Sequence, residues 1–125
     1  MKLKYLSKSS ISNQKEEIFE TPFLDYFEDT EGKFIVIKFK DQNKVGHHLK
    51  ISNDEIIIFY NGNKIHLIKN YRVSTNYSLG NKTIEIDWFL KTVKINKREI
   101  LFNYDILQKD NIVTSNEVSL IIENL

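Results

Sequence analysis

The three histidines are the residues of this chain best suited to hold a metal ion or move a proton near neutral pH. His47 and His48 are adjacent, and neighbours on a strand point to opposite faces of a sheet, so the two imidazoles do not share one ion. A metal site would need one of them to meet His66 from another strand, with carboxylates close by; surface or cross-strand histidines are the simpler assignment. Carboxylate pairs occur at Glu16-Glu17, at Asp54-Glu55 and at Glu85 with Asp87. Only the last has the i, i+2 spacing that sets both groups on one strand face, where paired acid and base work is conceivable. The opposite face carries Ile84, Ile86 and Trp88, which sends Glu85 and Asp87 to solvent.

Nucleophilic and phosphate-binding chemistry find less support. No Gly-x-Ser-x-Gly organises a serine, and Gly32, Gly46, Gly62 and Gly80 are isolated, with none opening a helix to cradle a phosphate. The chain has no cysteine, which excludes a thiolate nucleophile, a thiolate metal site and a disulfide framework. The expectation is a non-enzymatic protein with no catalytic residue, no metal and no cofactor.

Charge argues against nucleic acid and anionic membranes as partners. The 18 basic and 17 acidic residues nearly cancel, leaving no net field to gather phosphates. Phe19, Phe23, Tyr26 and Phe27 could stack bases, but Glu16, Glu17, Glu20, Asp25, Glu28 and Asp29 are interleaved with them and repel a backbone. Tyr71-Arg72 with Lys64 and Lys69 is the more basic alternative, too small to change the balance. The start of the chain lacks the apolar run of a signal peptide, and no segment approaches the ~20 apolar residues that span a bilayer. A soluble, cytoplasmic protein is expected.

The elements that would position any site are strands. In Thr83 to Leu90, Ile84, Ile86, Trp88 and Leu90 alternate with Thr83, Glu85 and Asp87, the period of a half-buried strand. Ile100 to Gln108 and Val113 to Glu123 follow across short polar turns. Upstream, strands are expected at Leu3 to Ile11, Ile18 to Phe27, Lys33 to Lys40, Val45 to Ser52, Glu55 to Tyr60 and Ile65 to about Tyr77. Turns separate them at Ser12-Asn13-Gln14-Lys15, Asp29 to Gly32, Asp41 to Lys44 and Asn61-Gly62, the last a strong hairpin signal. Pro22 cannot donate to a ladder, so its strand must bulge or lie at an edge. At 125 residues the chain reads as one domain, 1–125: an all-β, up-and-down antiparallel barrel of about eight to ten strands with negligible helix.

The order of features resembles the YwiB-like family of small uncharacterised bacterial proteins. The matching residues are Lys2-Leu3-Lys4, Lys15-Glu16-Glu17, Leu49-Lys50-Ile51 followed by Ile56-Ile57-Ile58, Tyr77 with Gly80, Tyr104-Asp105 and the closing Asn116 to Ile122. Ser78-Leu79-Gly80 stands where that family tends to show a Thr-Pro-Tyr-Gly turn. The resemblance implies a lipocalin-like, or calycin, barrel. It implies no activity, cofactor or site residue.

What remains as a place for function is the interior. The less charged face of each strand supplies Ile35, Ile37, Phe39, Ile65, Leu67, Ile84, Ile86, Trp88, Phe102, Tyr104, Val118, Leu120 and Ile122. A small barrel is either filled by such side chains or just wide enough to hold one ligand. A filled interior is the simpler reading. If space is left, Trp88, Phe102, Tyr104 and Leu120 are the expected ligand-binding residues, for a small apolar or amphipathic molecule. The alternative is an interaction or homo-oligomeric module acting through its outer surface, for which the segment from Phe19 to Phe27 is the candidate; the oligomeric state itself is left open.

Overall fold

Apolar alternation becomes strand almost wherever it occurs. In a computed structural model that describes residues 1–11, 15–60 and 62–123, twelve strands follow one another and none of the described residues is helical. They are β1 (Lys2–Ile11), β2 (Lys15–Glu20), β3 (Leu24–Asp25), β4 (Phe27–Glu31), β5 (Phe34–Lys40), β6 (Gly46–Ile51), β7 (Glu55–Tyr60), β8 (Asn63–Ile68), β9 (Arg72–Leu79), β10 (Lys82–Ile95), β11 (Glu99–Gln108) and β12 (Asn111–Glu123). The turn expected at Ser12-Asn13-Gln14, and Asn61 of the expected hairpin, lie outside the described residues. Gly62 of that hairpin has the positive φ, 75°, that such a turn requires.

The strands form two antiparallel sheets. The larger has the order β2-β1-β12-β11-β10-β9, with β3 pairing β1 beyond the end of β2; the smaller has the order β4-β5-β6-β7-β8. The all-β, antiparallel expectation therefore holds, with twelve strands in place of eight to ten. Round the molecule the strands keep chain order and β12 returns to β1, but the ladder breaks at two seams, β3/β4 and β8/β9.

The β8/β9 seam corrects the expectation of one strand from Ile65 to about Tyr77. The chain turns a corner at Lys69-Asn70-Tyr71, where Asn70 takes a left-handed φ of 60°, a conformation asparagine tolerates better than most residues. Asn70 N donates to Leu90 O at 2.9 Å and Tyr71 N to Ile68 O at 3.1 Å, so the corner is bonded to both sheets. Beyond the corner the Asn63 side chain spans the seam in place of a backbone ladder: Nδ2 donates to Ser78 O at 3.3 Å, and Oδ1 accepts from Ser78 N at 3.0 Å.

The other seam begins where Pro22 stops the ladder, as its missing N–H requires. Thr21 covers the gap. Its N donates to Tyr5 O at 2.9 Å and its hydroxyl accepts from Tyr5 N at 2.9 Å, which fixes the backbone of Tyr5.

Side chains pointing between the sheets stack in cross-strand rows. In the smaller sheet one row is Ile35, Ile51, Ile56 and Leu67; the next is Ile37, Leu49, Ile58 and Ile65; the third is Phe39, His47, Tyr60 and Asn63. In the larger sheet Tyr5, Leu120 and Ile100 make one row, Ser7, Val118 and Phe102 the next, and Trp88 lies opposite Ile106. A bulge between Leu90 and Thr92 resets parity, so that Val93 and Ile95 also pack against the core. Among the described residues no helix is long and apolar enough to cross a membrane.

A candidate ligand cavity between the sheets

A cavity of about 360 Å³ lies among these rows. Its walls come from both sheets and from the β5–β6 turn: Trp88, Phe102, Tyr104 and Val118 on one side, Leu49, Ile58, Tyr60 and Ile65 on the other, with Tyr5, Phe19, Tyr77 and the Asp41–His47 pair completing it. Of the four expected ligand-binding residues, Trp88, Phe102 and Tyr104 border the space. Leu120 does not. It is fully buried one row further along β12 than Val118, between Tyr5 and Ile100.

The aromatic wall is close-set. The Trp88 ring is 6.4 Å from Tyr77 and 5.9 Å from Tyr104, both tilted, and Tyr104 stacks against Phe102 at 6.1 Å. Trp88 is only 4% exposed, and its Nε1 is enclosed without a hydrogen-bond partner among the described residues. An indole N–H can only donate, so this is a desolvated donor left over. The hydroxyls of Tyr60, Tyr77 and Tyr104 likewise make no hydrogen bond to another described residue, while their oxygens stay accessible. Burial, and then the neighbouring phenols of Tyr5 and Tyr77, hold the Tyr104 hydroxyl well above the ordinary phenol range. Tyr77 is raised by burial and by Tyr60, and Tyr5 by burial against an opposing hydrogen bond from Ser7. These three half-buried phenols are neutral donors.

Asp41 and His47 form a carboxylate–imidazole pair on the wall. Asp41 closes the β5–β6 turn: its Oδ1 accepts from Asn43 N at 2.8 Å and from Val45 N at 3.0 Å, and its Oδ2 accepts from His47 Nε2 at 2.9 Å. Burial alone would push this carboxyl up, but the bonds from His47, Val45 and Asn43 outweigh it and leave the group below its ordinary value. The charged carboxylate thus fixes the His47 tautomer, with Nε2 as donor. The His47 ring lies flat on Phe39 at 4.6 Å and is 5.2 Å from Tyr5. A histidine oriented by a buried carboxylate is half of a general-base arrangement, yet no serine or threonine hydroxyl is bonded to it among the described residues.

The fold carrying this cavity is shared with a solved structure. The ywiB protein from Bacillus subtilis superposes with a TM-score of 0.71 at 12% identity, over 98% of this chain and 91% of that one. At that identity the likeness concerns the fold alone. No protein-family model matches the chain, and no curated protein does.

Of the other sequence candidates, His47 and His48 are both among the lining residues, while His66, Glu85 and Asp87 are not. His47 and His48 do face opposite ways: His48 pairs across the outer face with Lys38 and Phe59, stacking on the latter at 4.6 Å. His66 is on the same outer face and bonds Glu55, which also binds Lys33 at 2.7 Å. No group of three or more metal-ligating side chains forms among the described residues. Glu85 is exposed, and Asp87 is held by Ser74 Oγ at 2.6 Å and Arg72 Nε at 2.5 Å. The Phe19 to Phe27 segment divides, with Phe19 on the cavity and Tyr26 against the core while Phe23 and Phe27 stay exposed.

As cavity residues, sequence reasoning missed Tyr5, Asp41, Tyr60 and Tyr77, and it weighed His47 only as a metal ligand. Parity held the signal for three of them: Tyr60 shares its face with Ile56 and Ile58, His47 with Leu49 and Ile51, and Tyr77 lies opposite Ile84. Asp41 had none, because a turn aspartate reads as a turn and nothing more.

Proposed function

We propose that this protein is a cytoplasmic, non-enzymatic binder of a small apolar or amphipathic molecule. The molecule is held between two sheets that together make a lipocalin-like, calycin-type barrel broken at its two seams. The observation that carries this reading is the cavity of about 360 Å³ walled by Trp88, Phe102 and Tyr104, with polar groups that have no partner among the described residues. Its size falls in the range of small-molecule pockets, roughly 300–1,000 Å³, and its mixture of apolar wall and few polar groups is the composition such pockets use. Native mass spectrometry of the purified protein, with thermal shift against fatty acids and small aromatic molecules, tests it. A retained small molecule or a bound hit is expected, stabilising by about 2.7 kcal/mol at a hundredfold excess over its Kd. No adduct and no shift across both classes would end the reading.

One observation favours a second function, on the outer surface. Ile18, Phe23 and Phe27 are 58%, 41% and 52% exposed around the β3/β4 seam. A homo-oligomer in the same mass spectra, dispersed by Ile18→Lys, supports this alternative; a monomer removes it.

A further inference from the structure

The chemistry of the wall narrows the ligand. Tyr77 and Tyr104 line the cavity with hydroxyls that have no partner among the described residues, and the N–H of Trp88, a third lining residue, is enclosed and likewise without one. No lysine or arginine is among the residues lining the space. The one carboxylate, Asp41, has both oxygens taken by His47 Nε2 and by the backbone N–H groups of Asn43 and Val45.

Three ligand chemistries meet this wall differently. An anion such as a fatty-acid carboxylate would find no lysine or arginine among the lining residues to pair it, and the Asp41 charge nearby. A quaternary ammonium would find aromatic faces, but it would leave the phenol donors unanswered and find the lone pairs of Asp41 already engaged. A carbonyl oxygen brings two lone pairs and no net charge, which is what a neutral donor can satisfy without ion desolvation. The tilted rings of Tyr77, Trp88 and Tyr104, within 6.4 Å of one another in sequence along the wall, offer contact to a flat partner.

Resting on the ligand-binding reading above, we propose that the cavity selects a neutral, flat molecule bearing a carbonyl oxygen, which accepts a hydrogen bond from the hydroxyl of Tyr77 or of Tyr104, the two standing on either side of Trp88. The class is an aromatic ketone, lactone or quinone rather than a fatty acid or an amine.

A matched series of probes tests this: 2-acetylnaphthalene, naphthalene, 2-naphthoate and 2-naphthyltrimethylammonium, titrated into the full chain by calorimetry. Fluorescence of Trp88, the single tryptophan, serves as a second readout. The ketone is expected to bind about tenfold more tightly than naphthalene, and more tightly still than either ion. The doubly substituted Tyr77→Phe, Tyr104→Phe protein keeps both rings, and its near-ultraviolet circular dichroism checks that the wall is intact. In it the ketone should lose about fivefold to tenfold in affinity and naphthalene none. If naphthalene equals the ketone, or either ion binds tightest, the carbonyl inference falls while ligand binding stands. If none of the four binds, the ligand-binding reading falls with it.

Discussion

The two parts of the interior are built from different side chains and end in different states. In the smaller sheet the row Ile35, Ile51, Ile56 and Leu67 has no member on the cavity, and three of those four are fully buried. Two rows along the same strands, His47 and Tyr60 stand on its wall, with Phe39 stacked behind. Leucine and isoleucine interdigitate and fill the gap between sheets to crystal-like density. Phenol, indole and imidazole rings are rigid plates that settle into tilted and stacked pairs, and here they enclose a space. The fully packed row and the row bordering the cavity thus occupy separate stretches of the same strands.

That division can be broken by substitution. Trp88→Ala should have the largest effect, destabilising the fold by about 3–5 kcal/mol in urea denaturation, the range for truncating a buried aromatic. It should abolish binding of any cavity ligand as well. Leu67→Ala, in the aliphatic row, should cost about 2–5 kcal/mol while leaving ligand affinity unchanged under conditions where the variant is folded. Equal loss of affinity in both variants would show that the two parts act as one unit.

The smallest expected effect is a pH dependence from His48, on the opposite strand face from His47. Burial first, then Lys38 and Lys50, hold the His48 imidazole below its ordinary value, and its Nε2 is enclosed without a partner among the described residues. A group whose folded pKa is depressed contributes stability above its unfolded value of 6.5, and that contribution is lost as pH falls through the folded value. The urea midpoint should therefore decline as pH falls from about 7 to about 5. In His48→Gln that decline should flatten. A slope unchanged by the substitution would move the effect to another group.

Much of the fold was legible because period-two alternation is local. Ile84, Ile86, Trp88 and Leu90 announce both a strand and the face that is buried, and the interior list drawn from such parity contains Ile37, Leu67, Phe102 and Val118, all buried. The corner at Asn70 was not legible, since apolar residues continue on both sides of it and neither glycine nor proline marks it. The cavity was legible only in part for a related reason. Trp88, Phe102 and Tyr104 lie on neighbouring strands of one sheet, whereas Tyr5, His47 and Tyr60 reach the same space from the chain's first strand and from the other sheet. Which rows face one another across two sheets is a property of tertiary packing, and alternation carries no record of it. Leu120 shows the limit from the other direction: its inward parity was right, and its position along β12, between Tyr5 and Ile100, set it one row away from the space.

The pairing of β1 with β12 sets the order in which the molecule can be assembled. Lys2 stands opposite Glu123 and Ile11 opposite Thr114, so the first strand finds its partner in the last. Until β12 has been synthesised, β1 can be hydrogen-bonded along only one edge, to β2 and β3, and Tyr5 has no neighbour at Leu120. The smaller sheet is a run of local hairpins and can form early, while the larger waits on a closure spanning nearly the whole chain. Pairings of such long sequence separation place folding toward the slow, millisecond-to-second end of the scale. During that interval an open β1 edge is a template for another chain, which makes the nascent protein most vulnerable to misassembly just before its last strand arrives.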